Sequence, residues 1–306
     1  MTELGTYSLV AGAFLLVVGF GYAAWADARE REVTDVLWQV LGVAGLIIGL
    51  VAVAPGGLIP AVAWAVVGLF VVQHLFAWDT RLGSAVERYA DIIELVVYVG
   101  VVAFVAVLGV HVGLGPSGLP VSVVAVLVTV LFARGLFEAG ILFGGADAKA
   151  LMIAGLLVPL FPNPIIAQPA SVAPLTDIFP FAVNVLMNTA LFSVVVPIGI
   201  AVRNLRAREF RGFSGFVGYS IPVAELPKKF VWVRDPTFGD AREEERAIET
   251  SADDRVRREA IAAELNSRGI ARVWVTPQIP FLVIMAVGVV GALLAGNVLF
   301  DLLFRL

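Results

Sequence analysis

No cysteine occurs among the 306 residues, which excludes disulfides, thiolate metal sites and a cysteine nucleophile. Histidine is nearly absent as well: His74 and His111 fall on different apolar stretches with no metal-ligand spacing. Charge is scarce, with Asp, Glu, Lys and Arg making up 15% of the chain where soluble domains carry roughly 25%. The formal net charge of −4 supplies no basic footprint, so nucleic acid is not expected as a partner. Apolar residues fill the gap, at 59% of the chain with a mean hydropathy of +0.93. This balance predicts an all-α polytopic membrane protein. The N-terminus, Met1-Thr2-Glu3-Leu4-Gly5, has no basic n-region, so the first apolar stretch is expected to be a retained span and not a cleaved signal peptide.

Apolar stretches of about 20 residues cross the hydrocarbon core as helices, and the sequence predicts eight, near 6–26, 36–54, 57–77, 91–111, 119–136, 148–162, 180–202 and 279–304. The stretch 148–162 is short, with Pro159 and Pro162 in its last turn, and reads as either a full span or a tilted or partial one. Basic residues fall on alternate loops: Arg29 and Arg31, Arg81 and Arg88, Arg134 and Lys149, then thirteen Lys and Arg between Arg206 and Arg272. By the positive-inside tendency those loops are expected to be cytoplasmic and both termini outside. Four parts follow: a core at 1–162 with six spans, an outer loop and seventh helix at 163–203, a cytoplasmic soluble segment at 204–278, and a last helix at 279–306. Within 204–278, residues 213–219 and 222–229 read as loops or short strands. Residues 241–267 read as a charged helix with Asp253–Arg257, Asp254–Arg258 and Glu264–Arg268 at i,i+4 spacing, and 272–276 as a short strand. The segment is therefore expected to be small and α/β or irregular. Asn184 and Asn188, one turn apart, are expected to hydrogen-bond a neighbouring helix.

Two aspartates stand where an apolar span meets a polar loop, in Trp25-Ala26-Asp27-Ala28-Arg29-Glu30-Arg31-Glu32-Val33 and in Phe143-Gly144-Gly145-Ala146-Asp147-Ala148-Lys149. An acidic side chain at the edge of hydrocarbon is costly unless it faces protein, water or a partner, so each is a candidate functional residue. The predicted topology puts both on one membrane face. A simpler reading competes, since an aspartate just before an apolar helix is an ordinary N-cap, which fits Asp147 and also Asp35. Lys149 is expected to snorkel its ammonium to the interface, and Arg29 and Arg31 to act as topology anchors.

These two segments resemble the aspartic membrane peptidases that process type IV prepilins and archaeal preflagellins. The first motif ends a span with Asp27 and runs through Arg29, Arg31, Glu32 and Val33 to Asp35. The second, Gly144-Gly145-Ala146-Asp147, is close to Gly-x-Gly-Asp with Ala146 replacing the second glycine, followed by Lys149. The resemblance covers roughly residues 1–160, with the later half looking like the C-terminal extension of archaeal members. It implies Asp27 and Asp147 as the catalytic pair and Gly144, Gly145, Ala146 and Lys149 as the active-site loop, with no metal or cofactor. It also implies prepilins or preflagellins as protein substrates, cut at the cytoplasmic face of the cell membrane. Glu30, Glu32, Asp35, Asp79, Glu87, Asp91 and Glu94 would then attract the basic residues of a class III signal peptide, or simply balance local arginines. Two alternatives stay open: a Gly-x-Gly-Asp protease cutting other substrates within the bilayer, and an ion- or proton-coupled transporter, which would place ionisable groups near mid-membrane.

Overall fold

The computed structural model describes residues 3–77, 84–142, 144–160, 179–234 and 251–305. Asp79, Arg81, Phe143, most of the expected outer loop and the stretch 241–250 of the charged helix lie outside the described residues, as do the side chains of Glu87, Arg88, Asp91 and Asp253. The chain is mostly helical, with a small three-stranded sheet towards its C-terminal end. Among the described residues, six helices are long and apolar enough to cross a membrane: Thr6–Glu30, Asp35–Gly56, Leu58–Phe76, Ile92–Val112, Val121–Glu138 and Phe181–Arg206. The pair Phe281–Ala295 and Val298–Phe304, bent by 61°, makes a seventh if it is one span. This is the expected polytopic membrane protein.

The remaining stretch, 148–162, takes the shorter of its two expected forms. Its helix runs only from Gly145 to Leu157, 13 residues, and so rises about 20 Å against a hydrocarbon core of about 30 Å. Val158 leaves the helix at φ −135°, ψ 80°, out of the α region that a following proline, here Pro159, disfavours. From Ala148 to Leu157 every residue is buried. Its apolar character serves a protein interior and not a lipid-facing surface.

Contacts divide the chain into two compact units. The first comprises Met1–Trp25, Val33–Thr189 and Leu282–Leu306. It contains most of helix α1 (Glu3–Glu30), with α2 (Asp35–Val53), α3 (Leu58–Ala77), α4 (Ser84–Val112), α5 (Val121–Glu138) and α6 (Gly145–Leu157). The short helix α6 packs against α2 and α5. Small residues allow the closeness: a Cβ on Gly12 of α1 would lie 2.2 Å from the Leu157 carbonyl oxygen, and one on Gly155 would lie 2.6 Å from Thr129 Cγ2. Leu16, Phe20 and Ala23 carry the buried stripe of α1, and the Phe20 ring meets Trp38 edge to face at 6.1 Å.

The first half of α7 (Phe181–Ser193) also belongs to this unit, with α11 (Phe281–Ala295) from Leu282 onward and α12 (Val298–Arg305). The break between α11 and α12 frees backbone groups that hydrocarbon cannot satisfy, and α7 supplies their partners. Asn188 Nδ2 donates to the Gly296 carbonyl at 2.8 Å, while its Oδ1 accepts from the Val298 N–H at 2.9 Å. Asn297 Nδ2 donates to Asn184 Oδ1 at 2.7 Å. The expected asparagine bonds to a neighbouring helix are present, and their object is a helix break.

The second unit comprises Ala26–Glu32 and Ala190–Phe281. It holds α8 (Val195–Arg206), a short turn α9 (Ser214–Val217), β1 (Tyr219–Pro222), β2 (Val231–Val233), α10 (Ser251–Ser267) and β3 (Arg272–Pro277). The sheet is antiparallel in order β1-β3-β2, with Tyr219 opposite Val275 and Trp232 opposite Thr276. Alternation along β3 sends Val273 and Val275 inward, where Ile221, Leu226, Val231 and Val233 meet Ile261, Ala262 and Leu265 of α10. Each of the buried Val, Leu and Ile side chains contributes about 1.5–3 kcal/mol. Asp254 and Arg258 continue the buried face of α10 one and two turns earlier, and they are ion-paired. The expected i,i+4 pair therefore belongs to the interior, whereas Glu264–Arg268, at 2.7 Å, is on the surface.

Candidate active site

The two expected aspartates belong to different units, and each arm is built by its own surroundings. Asp27 stands in the last turn of α1, and its side chain is 14% exposed. The helix is closed by Arg31, which adopts the left-handed conformation at φ 57°, uncommon for a residue with a side chain. Its N–H donates to the Asp27 carbonyl at 3.2 Å, and its Nη1 donates to the same oxygen at 3.1 Å. Nη1 also stands 4.0 Å from Asp27 Oδ1. Burial pushes the Arg31 guanidinium below its usual value, with the Asp27 charge opposing that shift. Arg31 therefore does more than anchor topology. Glu30 and Glu32 on either side of it are exposed.

The guanidinium of Arg31 lies over the Phe230 ring, 5.2 Å from its centroid, and that of Arg258 lies over the same ring at 5.3 Å. Arg258 pairs with Asp254, whose Oδ2 also accepts from Gln278 Nε2 at 3.2 Å. The backbone of Gln278 in turn donates to the Phe230 carbonyl at 3.0 Å. Sequence reasoning missed Phe230. The one available signal was the i,i+4 spacing of Asp27 and Arg31, which singles out Arg31 and not its ring.

Asp147 stands in the first turn of α6. Gly144 is the N-cap, in extended conformation at φ −95°, ψ 133°, and Asp147 N–H donates to its carbonyl at 3.1 Å. Asp147 is thus the third helical residue and not the cap, and Thr34, not Asp35, caps α2. A carboxylate in this position faces the positive end of the helix dipole. The side chain folds back toward Gly144: a Cβ there would lie 3.0 Å from Asp147 Oδ2 and 3.4 Å from its Cγ. Gly145 and Ala146 form the first helical residues. An alanine suits that conformation, so its replacement of the motif's second glycine leaves the turn intact.

Lys149 does not snorkel. It is 2% exposed, and its Nζ donates to Asp35 Oδ1 at 2.6 Å. The expected substrate-binding carboxylate of Asp35 thereby joins the start of α2 to α6, while remaining 42% exposed. Glu94 is held by Arg134 at 3.5 Å, so it balances a local arginine. His74 is bonded within its own bundle: its Nδ1–H donates to the Phe70 carbonyl at 2.7 Å, and its Nε2 pairs with the Tyr98 hydroxyl at 2.6 Å. Among the described residues no group of three His, Cys, Asp or Glu is arranged to hold a metal.

A fold of long apolar helices, with an aspartate in the last turn of one helix and in the first turn of another, defines a membrane protein with two carboxylate arms. Residues 213–298 match a known family, Archaeal Peptidase A24 C-terminus Type II. The match supports an archaeal prepilin peptidase-like family, in agreement with the resemblance read from the first 160 residues, and with it a peptidase activity. The matched stretch runs from α9 through the sheet and α10 to the start of α12, and contains neither aspartate. No curated protein matches the chain.

Proposed function

We propose that this chain is an aspartic endopeptidase that removes the short class III signal peptide from prepilins or preflagellins at the cytoplasmic face of the cell membrane. The observation that carries the reading is the match of 213–298 to the C-terminal region of archaeal A24 peptidases, on a chain whose other half bears the two aspartate motifs. In the proposed reaction Asp27 and Asp147 act as one unit. The ionised carboxylate takes a proton from water as its oxygen attacks the scissile carbonyl carbon, and the protonated partner donates to the carbonyl oxygen. Collapse of the tetrahedral intermediate breaks the C–N bond, and a carboxyl proton passes to the leaving amine. Each acid–base group contributes typically about 10²–10⁴-fold, and groups acting as a unit fail together.

The test is cleavage of a membrane-inserted prepilin-type substrate, read by mobility shift and N-terminal sequencing, by wild type, Asp27→Asn and Asp147→Asn. Loss of cleavage in both inserted variants, with one defined bond cut by the wild type on the cytoplasmic side, is the expected result. Full activity in either variant overturns the carboxylate pair, and a bond cut within the hydrophobic segment would instead fit an intramembrane protease.

A further inference from the structure

We infer that Phe230, in the C-terminal region, is a positioning residue for Asp27, holding the end of α1 through the guanidinium of Arg31. Residues 26–32 share a compact unit with 190–281, although nearly two hundred residues separate Arg31 from Phe230 in sequence. The connection is specific. Arg31 caps the Asp27 carbonyl with both its N–H and Nη1, so wherever the guanidinium is fixed, the last turn of α1 is fixed too. The guanidinium lies over the Phe230 ring at 5.2 Å, and Arg31 Nε is buried without a hydrogen-bond partner among the described residues. An aromatic face is the kind of neighbour that holds a cation by its quadrupole without asking for a hydrogen bond.

The ring is held in turn. Arg258 lies over it at 5.3 Å, its Nε likewise buried and without a partner among the described residues. Two guanidinium groups on one ring repel each other unless neutralised, and both are: Arg258 by Asp254, Arg31 by the Asp27 carboxylate at 4.0 Å. The Phe230 backbone is fixed by Gln278, which also bonds Asp254. Helix α10 and the strand end at Gln278 thus build a bracket for the aspartate arm, which gives the soluble segment a defined role. What the held carboxylate does rests on the proposed peptidase reading, but the bracket itself does not.

The absence of cysteine permits a clean test. A nitroxide label at Ala28→Cys reports the mobility of the arm, and one at Val256→Cys, exposed on α10, serves as the control. In the full chain, Phe230→Leu is expected to raise mobility at position 28 and not at 256. In unlabelled protein it lowers kcat roughly tenfold or more, since a misplaced reacting group is costly, with KM little changed. Phe230→Trp keeps an aromatic face and restores both readouts. Unchanged mobility at 28 in Phe230→Leu overturns the bracket. Increased mobility with unchanged kcat overturns the positioning role. If the wild type cleaves no prepilin-type substrate while the label still responds as expected, the bracket stands and the peptidase reading fails.

Discussion

Replacing Gly144 by alanine adds a single carbon beside the Asp147 carboxylate. The backbone there, φ −95°, ψ 133°, is open to any residue, so the substitution brings no conformational strain. Two small effects on stability oppose each other. Alanine is a poorer N-cap than glycine, while the loss of unfolded-chain freedom favours it by about 0.4–1 kcal/mol. The net change is expected to be within about 1 kcal/mol, a shift of a few degrees at most in thermal unfolding in detergent. The carboxylate has no such latitude. The new Cβ would stand 3.0 Å from Asp147 Oδ2, several tenths of an ångström inside ordinary contact, and 3.4 Å from Cγ, so the carboxylate must rotate or withdraw. Misplacement of a reacting group by about 1 Å costs on the order of 10²-fold, and a few tenths should cost roughly tenfold. Steady-state cleavage of a prepilin-type substrate by Gly144→Ala should therefore show kcat reduced about tenfold with KM and unfolding midpoint nearly unchanged. Wild-type kcat in this variant would refute the idea that the orientation of Asp147 matters to the reaction.

Three further outcomes follow from the same geometry. Lys149→Met removes the ammonium that joins α6 to Asp35 while keeping an apolar stem; because Asp35 is 42% exposed and can turn to water, the loss should be about 1–2 kcal/mol and not the 3–5 kcal/mol of a fully buried pair, measured by thermal unfolding. Asn188→Ala orphans the Gly296 carbonyl and the Val298 N–H at the α11–α12 break, at about 1–3 kcal/mol each, and should be among the most destabilising single changes in the first unit, without altering KM. Charge reversal of the exposed pair, Glu30→Lys with Glu32→Lys, should raise KM for substrates with a basic signal peptide and do so less at high salt; an unchanged KM would remove these residues from substrate attraction.

Composition and hydropathy suffice to read the long helices, because a 20-residue apolar run has one stable use. They leave α6 open between a full span and a partial one, for a physical reason. A helix buried on every side by protein carries the same residues as one bathed in lipid, and hydropathy does not distinguish the two solvents. Length and the prolines are the legible clue that marks it as short, and the helix ends at Leu157, before Pro159. Lys149 is misread by the same logic. Next to lipid an ammonium seeks the interface, but inside a protein it seeks a carboxylate, and the choice of Asp35, 114 residues away, has no local signature.

The aspartate arms show where sequence reading stops. Their motifs are local and legible, down to the glycine that lies against Asp147. What holds the first of them is not local. The Asp27 arm shares its unit with residues 190–281, a region whose near-balance of charge points to no particular role and which overlaps the stretch that matches an archaeal A24 C-terminus. Asp254 and Arg258 look like one more surface pair at i,i+4 spacing, worth a few tenths of a kcal/mol. Their burial beside Phe230 changes what they can do: a neutralised arginine against an aromatic ring is a fixed platform, and Arg31, the residue that closes α1, rests on it. On the proposed peptidase reading, a carboxylate that must be held to within fractions of an ångström is reason to retain such a region even though it contributes neither aspartate.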